Sequence, residues 1–144
     1  MSINSRVARS VRDVRAKLRD LAVAEHTTAA SNTAMAAARV DDEHARLEDT
    51  LDEAEGALET CTNVHQLANI HSLVEGQRQQ ITAAVASHTA AAELSELSSA
   101  LLRARTRQLK TSERVVEQVR HERARRDSKI DQRRNDDLTT ARRK

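Results

Sequence analysis

The 144-residue sequence contains no Phe, Trp, Tyr or Pro, only two Gly and a single Cys. Each absence removes a class of structure. Sandwich cores lean on aromatic side chains, and sheets of many strands need Gly and Pro to turn between them. Two glycines cannot punctuate such a sheet. The lone Cys61 forms no intramolecular disulfide and no thiolate metal cluster, which fits a reducing compartment. No apolar run is long enough for a transmembrane helix. The first ten residues lack the apolar centre of a secretory signal. They are Arg-rich and Ser-containing, like a mitochondrial presequence, but Asp13 and Asp20 follow at once, and an ordinary amphipathic helix start is the preferred reading.

What is present is helix-forming. Hydrophobic residues make up 38% of the chain, much of it Ala, and charged residues 32%. Ala, Glu, Arg, Leu and Gln have the best intrinsic helix propensities, so the composition predicts an all-α chain of long helices with a narrow core. The overall charge of +2 hides a strong asymmetry. Residues 1–21 carry six Lys/Arg and two acids, net +4. Residues 22–102 carry three Lys/Arg and thirteen acids, net −10. Residues 103–144 carry fifteen Lys/Arg and seven acids, net +8. A chain that folds back on itself would bring its two basic ends together and leave the bend acidic.

The apolar spacing supports such a fold-back. Val7, Val11, Val14, Leu18 and Leu21 recur at intervals of four and three. So do Val40, His44, Leu47, Leu51, Ala54, Leu58 and Cys61. This is the narrow stripe that two helices share in a coiled coil. Residues 22–38 between these blocks are Ala-rich, and there the frame slips. Leu67, Val74, Ile81 and His88 recur every seven residues; Leu94, Leu97 and Leu101 form a second block; Leu102, Leu109, Val116, Arg123 and Ile130 form a third, with Val119 beside it.

The break is expected at about 60–66. Thr60, Cys61 and Thr62 are poor helix formers in a row. Asn63 can cap a new helix, with Gln66 three residues on as in a capping box. Gly76 is the second choice of break. The expected fold is therefore a long antiparallel two-helix coiled-coil hairpin, one unit over residues 1–144. Helix one covers about 3–60 and helix two about 64–142, and the C-terminal helix protrudes past the first. A single unbroken helix dimerising in parallel is the competing fold, and the frame slips argue against it.

A search for chemistry finds little. The six histidines, His26, His44, His65, His71, His88 and His121, have no metal-ligand spacing, and His121-Glu122 lacks the second His of a zinc-protease helix. His44 and His88 fall on stripe positions and read as packing or pairing residues. There is no Gly-rich phosphate loop and no nucleophile elbow. A bare hairpin offers no concave pocket that excludes water. The expectation is a non-enzyme without cofactor or metal. Nucleic-acid binding is weighed because residues 103–144 are basic. Against it stand the interspersed acids and the lack of aromatics for stacking bases. Lipid binding by a surface helix needs a wide aromatic or Leu-rich face, which is missing.

The C-terminal run Ile130-Asp131-Gln132-Arg133-Arg134-Asn135-Asp136-Asp137-Leu138, followed by a ragged basic tail, resembles the end of the FliJ/SctO (YscO) family. These are small stalk proteins of flagellar and virulence type III secretion machines. The motif covers roughly ten residues, and the chain length and expected hairpin are also similar to that family.

The resemblance implies an antiparallel coiled coil similar to the central shaft of rotary ATP synthases. It implies a cytoplasmic protein, peripheral to the inner-membrane export apparatus, whose terminal end engages a hexameric export ATPase. On that mapping Gln132, Arg133, Arg134, Asp136, Asp137 and Leu138 carry the ATPase contact, and Arg123 and Arg126 extend it. An export gate protein and secretion chaperones are the further implied partners. The counterparts of the gate-contacting positions are Leu47, Leu51, Leu58, Ile70 and Val74. This sequence departs from the family in having no aromatics there. The alternatives are a free-standing coiled-coil adaptor or chaperone without an ATPase partner, or a basic-helix nucleic-acid-binding protein. The stripe leaves both monomer and dimer open.

Overall fold

A computed structural model describes the backbone of residues 5–141 and the side chains through Asp136. The chain is all-helical: α1 spans Ser5–Glu59 and α2 spans Val64–Ala141, with no strand among the described residues. The two helices pack together. Both are long because nothing in either interrupts the backbone ladder. Proline is absent, and the Thr side chains within the helices turn back to the carbonyl four residues earlier, as Thr28 does to Ala24 and Thr50 to Arg46.

The turn between them is held by its own side chains. At the end of α1, Thr60 Oγ1 donates to the Ala57 carbonyl at 3.2 Å, and the Cys61 amide donates to the Leu58 carbonyl at 3.3 Å. Asn63 is the N-cap of α2: its Oδ1 accepts from the Gln66 amide at 2.9 Å. The Gln66 Oε1 reaches back and accepts from the Thr62 amide at 2.9 Å. That is a capping box whose return bond lands one residue before the cap.

The described residues fall into two compact units. The first combines Met1–Val23 with Leu101–Lys144, and the second is Ala24–Ala100, which contains the turn. We call them the basic and the acidic unit. The basic unit has 21 Lys/Arg against nine Asp/Glu, net +12; the acidic unit has three against thirteen, net −10.

In the acidic unit, the side chains turned toward the neighbouring helix are His26, Ala29, Thr33, Ala36, Val40, Glu43, Leu47, Thr50 and Ala54 on α1. Their intervals alternate three and four. Polar groups bridge the pair. His26 Nδ1 lies 3.0 Å from Ser98 Oγ, and Thr33 Oγ1 donates to the Ala91 carbonyl at 3.0 Å. Gln77 Nε2 donates to Glu43 Oε2 at 2.9 Å and to the Glu43 carbonyl at 3.2 Å. Partners on α2 run from Ser98 back to Gln77 as those on α1 advance, the order of an antiparallel pair.

The core is thin. The buried apolar residues are Ala8, Ala22, Ala54 and Ala84, and the buried polar ones are Glu43 and Ser112. No described side chain is fully removed from water. Alanine lets two helix backbones approach closely, but it buries little area, so each contact contributes little on its own.

The apolar stripe expected between the helices is only partly there. Val74, Ile81, His88, Leu102, Leu109, Val116 and Val119 are half-buried on α2. On α1 the inward positions near the N-terminus are Ser5, Ala8, Arg12, Arg15, Arg19 and Ala22, the last five each one residue after the expected stripe, of which only Leu18 is half-buried. Val7, Val11, Val14 and Leu21 are exposed in consequence. A step of one residue is a rotation of about 100°, enough to turn a stripe from the partner helix to water. His44 is likewise exposed; its Nδ1 lies 2.8 Å from the Val40 carbonyl of its own helix.

Candidate functional site

The basic unit brings residues 5–23 against residues 101–123, so both sequence extremes contribute to one charged surface. Its packing begins from Arg15. The inward position of this residue lays its stem along α2. There Nη1 donates to Ser112 Oγ at 2.7 Å and to the Gln108 carbonyl at 3.1 Å. Ser112 is only 4% exposed, and its own hydroxyl donates back to the Gln108 carbonyl at 2.9 Å. These bonds span 97 and 93 residues of sequence and fix the two segments to each other.

Beyond them, a groove of about 450 Å³ lies between Ser5, Ala8, Arg9 and Arg12 of α1 and Glu113, Val116, Glu117, Arg120 and Arg123 of α2. Four arginines and two glutamates line it, and Ala8 and Val116 form its apolar floor. Arg12 pairs with the adjacent Asp13 at 2.6 Å, and Glu117 accepts from His121 at 3.4 Å when that ring is charged. These pairs are solvent-exposed, and each is worth about 0–1 kcal/mol. Such a surface is suited to holding a charged macromolecule through many weak contacts.

Every residue from 120 to 136 is exposed. Arg123, Arg126, Gln132, Arg133, Arg134 and Asp136 are all among them. At about 100° per residue, Arg123, Arg126, Arg133 and Arg134 fall within roughly a 100° arc of α2. Ile130, 49% exposed, lies inside that arc. Gln132 falls on the opposite side of the helix, whereas Asp136, three residues after Arg133, lies about 60° round from it and flanks the arginine face. The side chains of Asp137 and Leu138 lie outside the described residues.

Leu47, Leu51, Leu58, Ile70 and Val74 all belong to the acidic unit. Leu47, Ile70 and Val74 are half-buried, at inward positions between the helices. Leu51 and Leu58 are exposed, at 43% and 48%. The structure therefore divides this set between packing positions and surface positions.

Sequence reasoning missed Arg9, Arg12 and Arg15. Arg12 and Arg15 carried a signal in the three-and-four spacing of Ser5, Ala8, Arg12, Arg15, Arg19 and Ala22, which a search for apolar residues passes over; Arg9 carried none. Among the described residues no group of three His, Cys, Asp or Glu side chains is placed to hold a metal ion. No described helix is long and apolar enough to cross a membrane. No known protein family, curated protein or solved structure matches this chain.

Proposed function

We propose that the chain is a non-enzymatic coiled-coil hairpin that acts as the stalk or adaptor of a type III secretion or flagellar export machine. Its basic unit engages a hexameric export ATPase. The observation that carries this reading is the cationic face of α2, where Arg123, Arg126, Arg133 and Arg134 share one side with all of residues 120–136 exposed. In this reading that helix end protrudes past the first helix and enters the ring.

The physical logic is that of a reversible contact. Several exposed ion pairs, each worth about 0–1 kcal/mol, hold a ring without locking it to one subunit. A partner whose subunits change conformation during turnover needs that slippage. Gln132, on the other side of the helix, would meet a neighbouring subunit, and Asp136 would flank the arginines. The acidic unit remains for a gate protein or chaperones, with exposed Leu51 and Leu58 as its candidate apolar contacts. The protein would then lie in the cytoplasm beside the inner-membrane export apparatus.

The test is capture of the cognate export ATPase by the full chain, with ATP turnover measured alongside. The reading expects binding, stimulated turnover, and loss of both on Arg133→Glu with Arg134→Glu. Unchanged stimulation by that variant contradicts it.

A further inference from the structure

Within the basic unit, the line of α2 that packs toward α1 runs on into the exposed helix end. Leu102, Arg105, Leu109, Ser112, Val116 and Val119 are half-buried or buried, at intervals that alternate three and four. Arg123, Arg126, Ile130 and Arg133 continue those intervals without a slip. Such a line is one seam of a coiled coil. Ser5, the first described residue of α1, shares a groove with Val119, Arg120 and Arg123. From Arg120 to Asp136 every residue is exposed. The seam therefore continues for about three turns, ~15 Å, with no described residue over it.

A helix is the shape that fits this stretch, because only another helix presents side chains at matching three-and-four intervals. Ile130, 49% exposed, stands on the same line as the half-buried Leu102, Leu109 and Val116, seven residues apart. The charge of the stretch lies on the seam itself. Asp127 and Arg134 flank it on one side, and Lys129 and Asp136 on the other, so the flanks cancel. Arg123, Arg126 and Arg133 remain. The covered part shows how an inward arginine is seated here: Arg15 lays its stem along the facing helix and donates to Ser112 Oγ and the Gln108 carbonyl. Three successive arginine positions call for oxygen acceptors opposite each, and carboxylates also supply the missing negative charge.

We propose that residues 123–133 of α2 seat one acidic amphipathic helix of a partner, which continues the two-helix packing where α1 leaves the seam open. That helix places an apolar side chain on Ile130 and carboxylates on Arg123, Arg126 and Arg133. On the reading above it belongs to the export ATPase, and the proposal rests on that reading for the owner of the helix, not for its chemistry.

The experiment titrates the full chain into a dye-labelled, lactam-bridged helical peptide of about 14 residues, with Leu at one seam position and Glu at the others. A second peptide carries Lys for each Glu. Fluorescence anisotropy reads binding. The proposal expects saturable binding of the Glu peptide and none of the Lys peptide. It expects Arg126→Glu to weaken binding about tenfold or more. Arg125→Glu makes the same charge change about 100° round the helix, off the seam, and stays within about threefold of the wild type. Ile130→Gln leaves the charge unchanged and still costs about tenfold, because the apolar contact is lost. No saturable binding of the Glu peptide overturns the proposal. So do equal losses from Arg125→Glu and Arg126→Glu, or indifference to Ile130→Gln. A chain that sediments as a dimer, leaves the peptide unbound and is released by Arg126→Glu gives the seam to a second copy and overturns it as well. ATPase capture is measured on the same variants. Peptide binding without ATPase capture keeps the helix seat and refutes the ATPase reading; capture without peptide binding does the reverse.

Discussion

The Gln77 side-chain amide donates to the carboxylate of Glu43 at 2.9 Å, across the pair of helices in the acidic unit. Glu43 is 6% exposed, and its other oxygen accepts from Arg46 Nη1 at 3.1 Å. A carboxylate so enclosed is held by its hydrogen bonds. Removing one partner leaves desolvated oxygen without compensation, which costs about 1–3 kcal/mol. We expect Gln77→Leu to lower the stability of the acidic unit by that amount in denaturant unfolding. The double variant Glu43→Leu/Gln77→Leu should recover the loss or exceed the wild type, because apolar replacement of a whole buried polar pair is often neutral or stabilising. A double variant weaker than Gln77→Leu alone would contradict this.

The Arg15 contact makes the corresponding case in the basic unit. Its guanidinium bonds Ser112 Oγ and the Gln108 carbonyl at 2.7 Å and 3.1 Å. Arg15→Ala removes both bonds and the packing of its stem, and we expect a loss of about 1–3 kcal/mol. Hydrogen exchange should speed up in residues 5–23 and 101–123. Faster exchange confined to the turn would disagree with the assignment.

At the turn, Asn63→Ala deletes the acceptor of the Gln66 amide. The expected cost is about 1 kcal/mol, with Asn63→Gly costing only a few tenths. Equal losses from Ala and Gly would mean that the side-chain bond is not what matters there.

Gly56 and Gly76 both lie inside helices, and a Cβ at either would meet nothing within 4 Å. Each therefore weakens its helix without a packing reason. Gly56→Ala and Gly76→Ala should each raise stability by about 0.5–1 kcal/mol, read as an upward shift in thermal midpoint. A drop would reveal a contact that Gly alone permits.

The sequence makes the helical class plain, since Ala, Glu, Arg and Leu without proline leave no other element. Asn63 and Gln66 also announce the start of α2, because capping depends on local spacing alone. The inward face of α1 is harder to read. Residues 7–22 contain two stripes with the same spacing, one residue apart: Val7-Val11-Val14-Leu18-Leu21 and Ala8-Arg12-Arg15-Arg19-Ala22. Hydrophobicity selects the first. The structure turns the second inward, because Ala8 and Ala22 allow close approach and the Arg15 stem lies along α2 with its charged end on Ser112 Oγ and the Gln108 carbonyl. The candidate site was legible as a cationic run, but its division into faces needed the helix. Gln132 is next to Arg133 in sequence and about 100° round the helix from it, whereas Asp136, three residues on, is its neighbour on the surface.

The account rests on one molecule bringing residues near both chain ends together, as Ala8 and Glu117 do when they line a common groove. Spin labels at Val7→Cys and Glu117→Cys, in a Cys61→Ser background and diluted into excess unlabelled protein, measure that separation within a single chain. The predicted distance is that of neighbouring helices with their label arms, about 10–20 Å. One unbroken helix would put about 165 Å between the two positions, and any intramolecular distance beyond about 60 Å contradicts the account.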